Sequence, residues 1–172
     1  MEPGPGPGES RLATIAGALL VGGARPDAAA RRAAAARNAR LLASLFEEVL
    51  WVGAPAPEGA PGRSVADREG PPCALRGLVG ALESAGAGSV LVLAGEAPGV
   101  APDLLLALVA WPEAAAVVPR RAGRAEPLCA LYRRDAVLPV ARARLAGGRL
   151  ALHGLLDALE TAYLDADRLS GA

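Results

Sequence analysis

"ALLVGGARPDAAARRAAAARN", residues 18–38, decides how the chain is read. An apolar run stops at Gly22-Gly23, and residues 27–46 follow with no Gly or Pro, rich in Ala, Leu and Arg. Uninterrupted apolar residues ending in a glycine turn predict a strand buried on both faces, here within 12–21. The Ala/Arg stretch predicts a helix, since both residues are strong helix formers. Asp27 stands where a helix-capping or first-turn acid would favour the positive end of the helix dipole. Glycines without Cβ atoms let backbone N–H groups approach a phosphate at the following helix N-terminus. The same two glycines serve equally well as a plain strand-to-helix turn. Their spacing matches neither the dinucleotide fingerprint nor the lysine-bearing phosphate loop.

The pattern of strand then helix repeats outward from that stretch. "EVLWVG", 48–53, predicts a second strand, followed by a Pro/Gly-rich loop over 54–63 and a short extended piece, "RSVAD", ending at Asp67. "ALRGLVGALESA", 74–85, predicts a helix, and "SVLVLAG", 89–95, is the clearest strand of the chain. "DLLLALVAW" after Pro102 predicts another helix with Asp103 near its start. "AAAVVP" and "EPLCALYRR" predict strands, 135–146 and 149–160 helices, and "TAYLDADRL" a short closing strand. Alternating strands and helices predict an α/β sandwich around a mainly parallel sheet, with helices on both faces. Ligands of such sheets sit beyond the carboxyl ends of the strands. Those ends carry Gly22-Gly23, Gly53 and Gly95-Glu96.

Composition narrows the function classes. The 172 residues suit one domain over 11–172, preceded by a Pro/Gly tail over 1–10 expected to be disordered. Hydrophobic residues make up 52% but aromatics 3%, so the core is aliphatic. Formal net charge is zero, which argues against a nucleic-acid surface. All 18 basic residues are arginine, so no lysine is available for catalysis or phosphate binding. Cys73 and Cys129 are far apart and form no metal pattern, consistent with two reduced thiols of a cytoplasmic protein. "MEPGPGPGES" does not read as a signal peptide, and "LATIAGALLVGG" is too short to span a bilayer. No membrane association is expected.

Several residues could carry chemistry. A carboxylate ending a central strand, as Glu96 does, is well placed to hold Mg²⁺ bridging nucleotide phosphates, or is simply a solvated loop acid. Asp67 has a similar choice between that work and a turn. Arg31, Arg32, Arg37 and Arg40 lie on the first predicted helix, and Arg120, Arg121 and Arg124 bracket a turn. Arginine pairs well with phosphate but also solvates exposed faces. His153 is the sole histidine, and nothing around it suggests a Ser/His/Asp or Cys/His site.

Four segments in order resemble the MobA-like molybdenum cofactor guanylyltransferases of the nucleotidyltransferase superfamily. "ALLVGG" resembles the family's opening strand and the start of its L-A-G-G loop. "LRGLVGALESAGAGSVLVLAGEAPGVAPDLL" resembles its G-P-L-x-G-I helix and the V-L-V-L-x-C-D-M-P strand and loop. "AAVVPRRAGRAEPLCALYRR" is similar to its V-V-P…P-L-x-A-L-Y-R stretch, and "LPVARARLAGGRLALHGLLDAL" to the helix pair that follows. The resemblance implies a three-layer αβα sandwich with a Rossmann-like, mainly parallel sheet of the nucleotide-diphospho-sugar transferase type. It implies GTP and Mg²⁺ as ligands, with GMP transferred to a molybdopterin-type cofactor and pyrophosphate released. It places Leu20, Gly22, Gly23, Asp67 and Arg76 in nucleotide binding and Glu96 at the metal.

The departures are specific. The family loop continues with Ser, Gly and Lys, and here "GGARPDAAARR" lacks all three, leaving Arg31 or Arg32 as candidate catalytic cations. Glu96 replaces the family's Asp, "CALRG" replaces G-P-L-x-G, and "LDADRLSGA" stands in place of N-x-N-T-P-x-D-L. These losses support an alternative: a catalytically impaired relative acting as a cofactor-binding or protein-interaction module, with a molybdoenzyme or maturation protein as partner.

Overall fold

The computed structural model describes residues 12–22, 27–66 and 69–169. The tail 1–10, Gly23 and Asp67 lie outside the described residues. In chain order the elements are β1 (Ile15–Leu20), α1 (Ala28–Leu45), β2 (Val49–Val52), β3 (Arg63–Val65), α2 (Ala74–Ser84), β4 (Ser89–Ala94) and α3 (Pro102–Ala110). There follow β5 (Ala116–Arg121), β6 (Arg124–Ala125), β7 (Cys129–Arg133), α4 (Arg134–Ala146), α5 (Leu152–Asp157) and β8 (Thr161–Asp165), closed by a short 3₁₀ turn, Ala166–Arg168.

The eight strands form one sheet. It runs β3-β2-β1-β4-β7 and then β5, whose two edges pair with the β6/β7 return on one side and with β8 on the other. The β1–β2, β1–β4, β2–β3 and β5–β8 pairs are parallel, whereas β7 is antiparallel to both β4 and β5. Two reversals restore direction, so β5 and β8 end at the same sheet edge as β1 and β4.

Alternate residues of each strand face opposite layers, as a pleat requires. Ala16, Ala18, Leu50, Val90, Val92, Val118 and Tyr132 pack with α2, α4 and α5. Ile15, Leu19, Trp51, Leu91, Leu93 and Leu131 pack with α1 and α3. Both cores are mainly aliphatic, with Tyr132 in one and Trp51 and Phe46 in the other, and both faces of β4 are buried, which is why "SVLVLA" reads as an uninterrupted apolar run. The result is the three-layer αβα sandwich that the sequence implies. No helix among the described residues is long and apolar enough to cross a membrane.

Some expected details differ. β1 begins at Ile15 rather than residue 12, since a turn occupies Ala13-Thr14. The helix expected over 149–160 is only Leu152–Asp157. The preceding residues are used to leave α4, where Arg149 N–H donates to Arg144 O at 2.9 Å, and the Thr161 hydroxyl donates to Leu156 O at 2.8 Å as the chain turns into β8. The strand expected at 126–134 narrows to β7, and 63–67 to β3. Asp27 holds the N-cap position of α1 with φ 72 and ψ 48 and makes no side-chain cap hydrogen bond. A capping side chain works from extended backbone, and the left-handed conformation turns it away from the first-turn N–H groups.

Candidate functional site at the carboxyl edge

The β1–β4 register sets the geometry. Leu20 lies opposite Ala94, so Gly22 and Glu96 leave the sheet side by side, each two residues past its strand. The two exits are tied together by Gly95 N–H donating to Leu20 O at 2.9 Å, and Val21 N–H donates to Val52 O at 2.8 Å on the other flank. The approach is close enough to require glycine. A Cβ at Gly95 would lie 2.9 Å from Val21 Cγ2, and one at Gly53 would lie 2.3 Å from Val21 O, with Gly53 at φ 94.

Helix α1 then delivers nitrogen donors to this edge. Its inward stripe, Ala35, Asn38, Ala39 and Leu42, follows the helical period and buries against the sheet. Asn38 is 3% exposed, the one polar member of the buried set among the described residues. Its Nδ2 donates to Gly95 O at 2.9 Å and to Ala97 O at 3.0 Å, fixing the loop on either side of Glu96. Arg31, seven residues before Asn38, reaches the same mouth. Its Nε donates to Glu96 Oε2 in an ion pair, and its Nη2 donates to Gly22 O at 3.3 Å. One guanidinium therefore spans the ends of β1 and β4.

The remaining candidates separate clearly. Leu20 packs its side chain at the start of α2, 3.3 Å from where a Cβ on Gly77 would sit. Arg76, in the first turn of α2, folds back on the preceding loop. Its Nε donates to Glu69 O at 3.1 Å and its Nη1 to Pro71 O at 2.9 Å. The Cys73 sulfur caps α2 by accepting from Arg76 N–H at 3.4 Å. Arg32, Arg37 and Arg40 are exposed along α1, and His153 is exposed on α5. Both cysteines are free thiols; burial pushes the Cys129 thiol up to about 12, with the Glu126 charge adding to it.

Arg120, Arg121 and Arg124 flank the tight β5–β6 turn at Ala122-Gly123, at the same sheet edge. The Arg120 guanidinium stacks 3.6 Å above the Tyr163 ring. Asp167 accepts from Ala122 N–H at 2.8 Å. Arg120, Gly123, Tyr163, Asp165 and Asp167 line a depression of about 290 Å³. Another, of about 120 Å³, lies at the opposite end of β4 near Ser89 and Arg133, remote from Glu96.

The oxygens around Glu96 are already served by nitrogen. Glu96 Oε2 and Gly22 O accept from Arg31, while Gly95 O and Ala97 O accept from Asn38. Mg²⁺ requires an octahedron of oxygens at about 2.0–2.1 Å. As arranged, the guanidinium bonded to Glu96 Oε2 and Gly22 O occupies the place between the strand ends where such a cation would have to sit. Arg31 was a candidate from sequence, but its pairing with Glu96 and the part played by Asn38 were not. The available signal was that Asn38 falls on the apolar stripe of α1.

Known proteins agree with this architecture. Residues 28–162 match the family model of the MobA-like NTP transferase domain. A Chloroflexus aggregans protein described as a probable molybdenum cofactor guanylyltransferase is 37% identical over 119 residues, or 66% of this chain. The match spans 57% of that relative's length. A crystal structure of an Aquifex aeolicus VF5 protein superposes with a TM-score of 0.78 at 19% identity, covering 89% of this chain and 86% of that one. The molybdopterin-guanine dinucleotide biosynthesis protein A of Archaeoglobus fulgidus superposes with a TM-score of 0.66 at 22% identity, covering 89% and 84%. The chain belongs to the MobA-like NTP transferase family.

Proposed function

We propose that the chain binds a nucleoside triphosphate, GTP in the first instance, at the carboxyl edge between β1 and β4, and acts in guanylyl transfer to a molybdopterin-type cofactor. Family membership together with the side-by-side exit of Gly22 and Glu96 carries this reading. In the reaction, an oxygen of the acceptor's terminal phosphate bonds to the α-phosphorus of GTP. The bridging bond to the β-phosphate breaks, and pyrophosphate leaves with its electron pair. This chain's residues contribute positioning: Asn38 fixes the 95–97 loop, Arg31 brings a permanent positive charge to the mouth, and the arginine-rich β5–β6 turn borders the same edge.

A second reading has an observation of its own. Arg31 and Glu96 neutralise one another, Arg76 is engaged by its own loop, and no lysine exists to replace them. Removing one preorganised charge-stabilising group typically costs about 10²–10³ in rate. On this reading the chain is a nucleotide- or cofactor-binding partner in molybdoenzyme maturation without transferase turnover. Calorimetric titration with GTP and other triphosphates, followed by a pyrophosphate-release assay with molybdopterin, separates the two. Binding with release supports the transferase, and binding without release supports the non-catalytic partner. Failure to bind any triphosphate at millimolar concentration refutes the transferase and leaves, of the second reading, only a partner that binds the molybdopterin-type cofactor, which titration with molybdopterin tests in turn.

A further inference from the structure

We infer that Glu96 serves Arg31 rather than a divalent metal, and that the site takes the polyphosphate of a nucleotide with a guanidinium where the cation would stand. The inference rests on the nucleotide-binding reading above and deepens it. Its basis is the donor set. A metal between two strand ends would be recognised by oxygens converging on one point. Here the converging atoms include nitrogens from one helix face, with Arg31 and Asn38 seven residues apart on α1. Arg31 takes Glu96 Oε2 and Gly22 O, and Asn38 takes Gly95 O and Ala97 O. Asn38 is 3% exposed, and both loop carbonyls accept from its amide.

Charge points the same way. A divalent ion beside Glu96 would meet the like charge of a guanidinium already bonded to that carboxylate. Arginine is charged at every accessible pH, and its planar fork matches phosphate oxygens. Glu96 then acts as a positioning residue. It holds the Arg31 side chain, whose exposure is 24%, across the ends of β1 and β4 instead of leaving it to extend into solvent. The acid at this place in the fold is thereby reversed in role, from holding a cation directly to orienting one supplied by the chain.

The test is calorimetric titration of the full chain with GTP, once in EDTA and once in Mg²⁺. The expected result is binding in both, with dissociation constants within about threefold of each other, well under the tenfold that a real metal contribution of 1.4 kcal/mol would give. Arg31→Gln should weaken binding in EDTA by about tenfold or more, because it removes a charge-assisted contact. Arg31→Lys, which keeps the charge and loses the fork, should fall between. Glu96→Gln separates the alternatives most sharply. If Glu96 orients Arg31, binding in EDTA is no weaker than in the parent, since the amide oxygen still accepts from Arg31 and a repelling carboxylate is gone. If Glu96 is a metal ligand, the Mg²⁺-dependent binding is lost. Titration with Mn²⁺ alone, followed by electron paramagnetic resonance, gives a readout independent of nucleotide. GTP binding that requires Mg²⁺, or Mn²⁺ binding to the parent that Glu96→Gln abolishes, overturns the inference while leaving the nucleotide reading intact. Absence of GTP binding in both buffers refutes the nucleotide reading itself. Glu96 is exposed and Arg31 partly so, and a thermal melt of each variant confirms that it is folded.

Discussion

Replacing Asn38 by Ala tests whether one buried amide holds the candidate site together. The side chain is 3% exposed and donates to two carbonyls, Gly95 O at 2.9 Å and Ala97 O at 3.0 Å. Each lost hydrogen bond costs about 1 kcal/mol, and the buried carbonyl of Gly95, left without this donor, adds about another 1 kcal/mol. The sum is about 3 kcal/mol, a fall in melting temperature of about 6–12 °C for a chain of this size. Asn38→Asp keeps the shape but presents a carboxylate to two carbonyl oxygens, so at neutral pH it should be worse than Ala. Burial and the facing carbonyl dipoles raise the folded-state pKa of that acid above its unfolded value of about 3.9. Its protonated form can donate one hydrogen bond. Stability is therefore greatest below the unfolded pKa and falls as pH rises through the folded one. Urea unfolding followed by circular dichroism, at about pH 4 and about pH 7, reads both effects if the slope with denaturant is unchanged. A loss below about 0.5 kcal/mol for Asn38→Ala, the range of ordinary surface changes, would refute the anchoring argument. So would an Asn38→Asp variant whose stability relative to the parent does not depend on pH.

Four further outcomes follow from backbone and burial. Ala122 sits at φ 48 in the two-residue β5–β6 turn. Left-handed backbone penalises a Cβ by about 1–2 kcal/mol, so Ala122→Gly should gain about 0.5–1 kcal/mol after the entropy of the more flexible residue is subtracted; a melting temperature below the parent's would contradict this. Gly53→Ala combines φ 94 with a Cβ 2.3 Å from Val21 O, so it should destabilise and disturb the mouth, seen as lost stability together with weakened nucleotide binding. Burial pushes the Cys129 thiol up from 9.0 to about 12 and raises the Tyr132 phenol as well. Both groups stay protonated in the folded chain and ionise first when unfolded. Stability should accordingly fall above the unfolded pKa of the thiol, by up to about 1.4 kcal/mol per pH unit per group, with Cys129→Ala showing a shallower decline. Under native conditions iodoacetamide should modify Cys73 and spare Cys129.

Much of the fold was legible because its strongest signals are local. β4 is buried on both faces and so spells "SVLVLA" without a polar break, and α1 contains no Gly or Pro over 18 residues. What escaped was relational. β7 lies between β4 and β5 and runs against both, yet "CALYR" would be equally apolar in either direction, because burial on two faces fixes composition and leaves polarity of the chain unmarked. β6 contains two residues, too few to show any period. The length of α5 depended on how the chain left α4 and entered β8, a matter of hydrogen bonds from the Arg149 N–H to Arg144 O and from the Thr161 hydroxyl to Leu156 O that carry no sequence pattern of their own.

The candidate site shows the same division more sharply. Glu96 could be singled out because ending a strand is a local property, and Arg31 because a helix-borne arginine near a glycine turn is one too. Their pairing joins residues 65 apart and depends on the β1–β4 register, which only the folded sheet supplies. Asn38 was less conspicuous still, since an amide in an Ala/Arg helix resembles any exposed polar residue until its stripe is aligned with Ala35, Ala39 and Leu42. That invisibility has a consequence for relatives. A chain that retained an acid in the place of Glu96 but lacked both donors on α1 would leave the loop carbonyls and the carboxylate facing one another without a cation. Mutual repulsion of oxygens would then favour a metal at that point. The identities at the positions of Arg31 and Asn38, read together, therefore discriminate an arginine-held site from a metal-held one more directly than the acid itself does.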